Sequence, residues 1–132
     1  MNPERPHIAV GAVVVKDGAL LMVRRARAPA QGLWSLPGGR LENNELLTDC
    51  VAREVAEETG LEVQVGDLLG IFEVPGDPHY VILDFVAVPS GDTEPVAGTD
   101  ATEARWVPLE EVAHLPCTPR FVETMKAWKV LP

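Results

Sequence analysis

The stretch GRLENNELLTDCVAREVAEETGL, residues 39–61, decides how the rest of the chain is read. It leaves a glycine-rich turn, Pro37-Gly38-Gly39, and enters a predicted helix with a dense acidic end. At about 100° per residue, Glu57, Glu54 and Glu58 lie at roughly −60°, 0° and +40° around the helix axis. Three carboxylates thus share one side of one helix. Like charges at this spacing repel, and Arg53, four residues before Glu57, offsets part of that repulsion. Clustered carboxylates suit a hard cation such as Mg²⁺ or Mn²⁺, which prefers oxygen ligands.

The same residues fill a longer pattern, G-x5-E-x7-R-E-U-x-E-E-x-G-U, where U is a bulky aliphatic. Gly39, Glu45, Arg53, Glu54, Val55, Glu57, Glu58, Gly60 and Leu61 occupy its nine fixed positions. A chance match anywhere in such a chain is on the order of one in ten million. An E-x-x-E-E run alone is usually a solvated helix face, but that leaves the glycines, Glu45 and Arg53 unexplained. The chain therefore resembles the Nudix hydrolases, the MutT-like family, with its Nudix box at residues 39–61.

The resemblance implies an enzyme that breaks a phosphoanhydride in a nucleoside diphosphate linked to a group X, with water as nucleophile. It implies Mg²⁺, or Mn²⁺, as cofactor and a small nucleotide as substrate. Glu54, Glu57 and Glu58 are the candidate metal-binding and catalytic group, and the carbonyl of Gly38 is implied as a further ligand. Arg53 and Glu45 are read as holding the helix and its ligands in place. In the family the general base is a box glutamate or an acid from a later loop. Asp100 and Glu103 stand in such a loop, each as an extra ligand or base, or equally as a solvated or capping residue. A nucleotide-binding sensor that does not hydrolyse is the alternative function. It is expected to have lost box acids or gained a DNA-binding domain, and neither is seen in this sequence.

Composition agrees with one globular domain spanning residues 1–132, 46% hydrophobic and long enough to bury a core. A formal charge of −9 argues against general nucleic-acid binding. No stretch has the roughly 18 apolar residues of a membrane span. The opening MNPERPHIAV lacks the shape of a signal peptide, so a cytoplasmic location is expected. Two cysteines, Cys50 and Cys117, make no disulfide framework. Monomer and homodimer are both open.

Along the chain, His7–Lys16 is Val-rich and reads as a strand buried on both faces. Asp17-Gly18 is a hairpin signal, and Ala19–Arg25 is the returning strand. Leu33–Leu36 is a short strand ending at Pro37. The box helix is predicted from Glu45 to Thr59, with Asn43 or Asn44 as N-cap and Gly60 just past its end. Glu62–Val74, His79–Pro89 and Ala104–Leu109 read as strands, Ser90–Thr102 as a loop, Glu110–Leu115 as a helical turn and Pro119–Lys129 as a last helix. The sum is α/β, a mixed sheet between helices, and the resemblance names it a Nudix fold, an α/β/α sandwich.

Candidate substrate contacts are Arg24 or Arg25 for a phosphate, Gly39 for close backbone approach, and His79 for a base. Strand alternation sends the two arginines to opposite faces, and a solvated strand end accounts for them equally well. Trp34, Phe72 or Tyr80 is a candidate to stack on a base, though strand aromatics are more often core. Between substrates, an ADP-ribose-like nucleotide sugar is slightly favoured over a (deoxy)nucleoside triphosphate. Pro75 and Pro78 lie where ADP-ribose-hydrolysing members often carry a proline.

Overall fold

The computed structural model describes residues 5–132; the first four residues of the expected domain lie outside the described part. The strands are β1 (His7–Lys16), β2 (Ala19–Arg25), β3 (Trp34–Ser35), β4 (Gly38–Arg40), β5 (Val63–Val74), β6 (Tyr80–Pro89) and β7 (Ala101–Pro108). The helices are α1 (Leu47–Thr59) and α2 (Phe121–Ala127), with a 3₁₀ turn at Leu109–His114 between β7 and α2. The architecture is the expected mixed sheet with helices.

β1 is the shared spine. One edge runs parallel to β6, from His7 opposite Tyr80 to Val14 opposite Ala87. The other edge is divided: β4 pairs antiparallel with Ala9–Gly11, and β2 with Val15 and Lys16. β5 closes the sheet antiparallel to β6, and β7 and β3 flank β2. The hairpin at Asp17-Gly18 has φ of 51° and 75°, the two positive values of a type I′ turn.

Each face has its own core. Val10, Ala12, Val14, Phe85 and Ala87 pack on Cys50, Val51, Val55 and Leu61 of the α1 side. Val13, Leu20, Met22, Trp34 and Val107 pack with Phe121, Met125 and Leu131 at the C-terminal end. Val51 and Val55 are buried, and full burial of such a side chain contributes about 1.5–3 kcal/mol. Val51 and Val55, four residues apart on α1, therefore anchor the carboxylate-bearing helix to the sheet.

Several boundaries differ from the sequence expectation. Helix α1 starts at Leu47, with Leu46 rather than an asparagine at the N-cap and no side-chain cap. Asn44 instead takes φ of 65°, and the Glu45 N–H donates to the Glu42 carbonyl, so Glu45 lies in a turn before the helix. Pro37-Gly38-Gly39 is not only a turn: Gly38 and Gly39 enter β4, where any Cβ on Gly38 would collide with the Val10 carbonyl oxygen. β5 carries an irregularity in its register with β6 at Gly66-Asp67. β7 begins three residues earlier than expected, because its register with β2 extends to Ala101. α2 is shorter than predicted and has Arg120 at its N-cap. Gly60 ends α1 as expected, with φ of 74° and its N–H donated to the Ala56 carbonyl.

Candidate active site

Arg53 organises the acidic end of α1. Its Nε meets Glu45 Oε2 at 2.6 Å, and its Nη2 donates to Glu45 Oε1 at 3.0 Å, a two-pronged pair. Its Nη1 donates to Glu54 Oε1 at 2.8 Å and to Glu57 Oε2 at 3.2 Å. Nη2 also reaches the Arg40 carbonyl at 3.3 Å, tying helix to β4. The guanidinium holds Glu45 far below the ordinary carboxyl value, at about 2. Its own proton is held correspondingly more tightly.

Glu58 points the other way. Its Oε1 accepts the Gly38 N–H at 2.8 Å, and the residue is only 9% exposed. Burial pushes its carboxyl up to about 7 against the pull of that hydrogen bond, and Glu54 and Asp100 push in the same direction. Burial also raises Glu54, partly opposed by Arg53. The Gly39 backbone lies directly against the Glu54 carboxylate, where any Cβ would overlap it. A loop after β6 is clipped to the end of α1: the N–H groups of Val96 and Gly98 donate to the carbonyls of Thr59 and Glu58, both at 2.9 Å. This loop delivers Asp100 to the neighbourhood of Glu54 and Glu58, whose carboxyls it raises.

Among the described residues no three acid side chains already converge as a metal cage. Arg53 occupies that role electrostatically, facing Glu54 and Glu57, while Glu58 faces Gly38. The residues nonetheless suit a hard divalent cation in kind. Every donor is an oxygen, the local charge is negative, and the Gly39 backbone leaves no room for a side chain between itself and the Glu54 carboxylate.

The other expected residues are distributed unevenly. Arg25 lines the neighbouring cleft, with its Nε donated to the Pro29 carbonyl. Arg24 is turned to Glu103 at 3.3 Å and to the Gly32 carbonyl. Glu103 is a strand residue of β7, opposite Arg24, rather than a loop residue. His79 lies outside the cleft lining and offers its carbonyl to the His7 N–H. Trp34 is buried in the second core with the Arg105 guanidinium over its ring.

The cleft itself has a volume of about 630 Å³. It runs from Gly38, Gly39 and Arg40 toward Thr118–Met125 of the α2 region. Its sheet-side floor is built by alternate positions of three strands: Ala9 and Gly11, Tyr80, Ile82 and Asp84, and Phe72 and Val74. Thus one face of the sheet binds α1, while the opposite face opens into space beside the acidic helix end.

A family model described as NUDIX domain matches residues 5–128. This chain belongs to the Nudix hydrolase family. It is 37% identical over 113 residues to an ADP-ribose pyrophosphatase of Methanocaldococcus jannaschii, covering 83% of this chain and 66% of that protein. It is 40% identical over 114 residues to a MutT-like protein of Streptomyces ambofaciens, covering 86% of this chain and 71% of that one. The chain therefore spans about two thirds of the length of these relatives. The crystal structure of a MutT Nudix hydrolase from Burkholderia pseudomallei superposes with a TM-score of 0.83 at 29% identity, over 93% of this chain and 98% of that one. No helix among the described residues is long and apolar enough to cross a membrane.

The Nudix box identified the acidic centre but not the cleft beside it. Arg120 and Asp84 were not among the sequence candidates. Arg120 carries its guanidinium 4.5 Å from the Phe72 ring centre and donates to the Glu73 carbonyl. Its signal is distributed over residues far apart in sequence. Asp84 had a local signal, a lone acid inside the apolar strand HYVILDFVAVP.

Proposed function

We propose that this Nudix chain is a Mg²⁺-dependent pyrophosphohydrolase, with Mn²⁺ as a second competent ion. It cleaves the phosphoanhydride of a nucleoside diphosphate linked to X. The observation that carries this reading is the placement of Glu54 against Gly39 and of Glu58 against Gly38, with Glu57 joined to Glu54 through Arg53, next to a cleft large enough for a nucleotide that those glycines line.

Glu54, Glu57 and Glu58, with the Gly38 carbonyl, would hold the metal. When bound, such an ion neutralises phosphate charge and lowers the pKa of a water. The chain's own residues do the positioning. Arg53 and Glu45 fix the helix against β4 and keep the carboxylates aligned. Arg25 presents a cation to the cleft for a phosphate oxygen. The proton of the attacking water passes to a carboxylate oxygen of the helix group or of Asp100. In-line attack on phosphorus needs positioning and charge neutralisation more than covalent chemistry.

An ADP-ribose-like substrate is favoured over a nucleoside triphosphate. The support is the relative named ADP-ribose pyrophosphatase and Pro75 and Pro78 in the turn after β5. We place the protein in the cytoplasm, as monomer or homodimer, acting on a free small nucleotide.

The test incubates purified protein and Mg²⁺ with ADP-ribose, other nucleotide sugars, dinucleoside polyphosphates and nucleoside triphosphates, with products identified by mass. AMP and ribose phosphate from ADP-ribose support the favoured substrate; pyrophosphate released from a triphosphate moves the enzyme to the other branch. Full turnover by both Glu57→Gln and Glu58→Gln would sink the assignment of the metal group.

A further inference from the structure

Four strands carry one row of residues across the cleft floor. Arg40 of β4 is in register with Ala9 of β1, Ala9 with Ile82 of β6, and Ile82 with Phe72 of β5. All four line the cleft. Neighbouring strands lie about 4.8 Å apart, so three spacings separate β4 from β5 by roughly 14 Å. The β4 end adjoins the acidic helix: Gly38 meets Glu58, Gly39 meets Glu54, and the Arg25 charge acts on Glu58. At the β5 end the lining is Phe72 with Arg120.

Arg120 precedes α2 and reaches back to β5. Its Cζ lies over the Phe72 ring, 4.5 Å from the ring centre. Its Nη2 donates to the Glu73 carbonyl at 2.8 Å. The N–H groups of a guanidinium lie in its plane, so this bond holds the group by its rim and leaves its faces for stacking. Phe72 takes one face, and Arg120 is otherwise exposed. Among the described residues the other arginine–aromatic pair, Arg105 over Trp34, has no part in the cleft lining.

We propose that the Phe72–Arg120 pair is the platform on which the substrate's nucleobase stacks, at the end of the cleft remote from the phosphoanhydride. A flat cation backed by an aromatic ring and held by its rim presents a stacking surface. The floor between Arg40 and Phe72 is Ala9 and Ile82, with the buried acid Asp84 in the next row, so no cation leads a phosphate from the β4 end toward Arg120. The span of three strand spacings is comparable with a nucleotide extended from its phosphate to its base. Unpaired bases stack on guanidinium planes as they do on aromatic side chains, and such stacking accepts every base because each has a π-face. The platform therefore fixes where the base lies, not which base it is. This assignment rests on the nucleotide reading of the cleft and adds to it the seat of the base.

The experiment measures binding, so that it survives a failure of the hydrolytic reading. AMP, GMP and CMP are titrated calorimetrically, with Mg²⁺ present, into wild-type protein, Arg120→Lys and Phe72→Leu, and thermal melts confirm folding. Methylenediphosphonate, which has the charge of a diphosphate and no base, is the control ligand. Lysine keeps the charge of Arg120 and loses its plane; leucine keeps the apolar bulk of Phe72 and loses its ring. All three nucleotides are expected to bind about tenfold more weakly to both variants, with methylenediphosphonate unmoved. Where F72L fails to fold, R120K decides alone. Wild-type nucleotide affinity in R120K would show that charge and not the plane is used, and would overturn the platform. So would an equal loss of methylenediphosphonate affinity, or no binding of any nucleotide to wild type. The expected binding pattern without hydrolysis of any substrate would count against the proposed reaction and leave the platform standing; hydrolysis with full nucleotide affinity in R120K would do the reverse.

Discussion

Arg53 Nε lies 2.6 Å from Glu45 Oε2, joining the middle of α1 to the turn that precedes it. The Glu45 side chain is 13% exposed, and the pair also includes a second contact through Nη2. Arg53 holds the Glu45 carboxyl at about 2, below its ordinary 4.5. The folded protein therefore binds fewer protons at this site than the unfolded chain. Its contribution to stability is complete above pH 4.5 and is lost as pH falls toward 2. Glu45→Gln removes that dependence. Melting temperatures followed from pH 6 to pH 2 are expected to fall less steeply in E45Q than in wild type, and equal slopes would exclude the pair as an acid-sensitive link.

Glu58 has the opposite sign. Burial, opposed by the Gly38 N–H, raises it from 4.5 to about 7. Between these values the folded protein holds a proton that the unfolded chain has released, so stability in metal-free buffer declines as pH rises through that window. Glu58→Gln keeps an oxygen for the Gly38 N–H and has no charge to bury. In EDTA at pH 8 it is expected to be more stable than wild type by about 1–3 kcal/mol, with the gap closing near pH 4.5. Denaturant melts at the two pH values check it. The same variant is expected to lose turnover, which separates the stability cost of this carboxylate from its service to the reaction.

The unequal legibility of the sequence has a physical basis. The acidic face of α1, the type I′ hairpin and the Gly60 terminus are local patterns, set by a few adjacent residues whose spacing or φ requirement is visible in one dimension. The start of α1 was misplaced because Glu45 is drawn out of the helix by Arg53, eight residues later, and by the turn to Glu42. Glu103 was misplaced because its strand exists through pairing with β2, nearly eighty positions away. The cleft was invisible for the same reason: Gly11, Gly70 and Asp84 form one row only after three strands align. Phe72 and Tyr80 were visible as aromatics, but the face they occupy follows from that alignment.

Asp100 and Glu103 looked equivalent as candidate acids, and the fold separates them. Asp100 acts electrostatically on Glu54 and Glu58, with its outer side at 3.4 Å from Arg27. Glu103 is spent on Arg24 and Arg105 along β7. Asp100→Asn is therefore expected to lower kcat by about a hundredfold if Asp100 takes the proton. Glu103→Gln is expected to stay within about twofold, since exposed ion pairs contribute little. Steady-state kinetics on the best substrate of the panel decides the matter; equal loss in both variants would remove Asp100 from the reaction.

Gly98 is the hinge pin of the loop that carries Asp100. Its N–H donates to the Glu58 carbonyl at 2.9 Å, and its Cα is pressed so closely on the helix end that a Cβ would overlap the Glu57 carbonyl. The obstructing atoms are backbone, which has no rotamer by which to yield. Gly98→Ala is thus expected to destabilise the fold by about 1–3 kcal/mol, the usual cost of overpacking. It should also detach the loop from α1, so that limited proteolysis cuts within residues 90–100 before the strands are attacked. Gly91→Ala in the same loop is the control, because nothing lies near the Cβ it would add. A G98A protein as stable and as protease-resistant as G91A would show that the loop is not clamped to the helix as described, and would remove the structural basis for placing Asp100 beside Glu54 and Glu58.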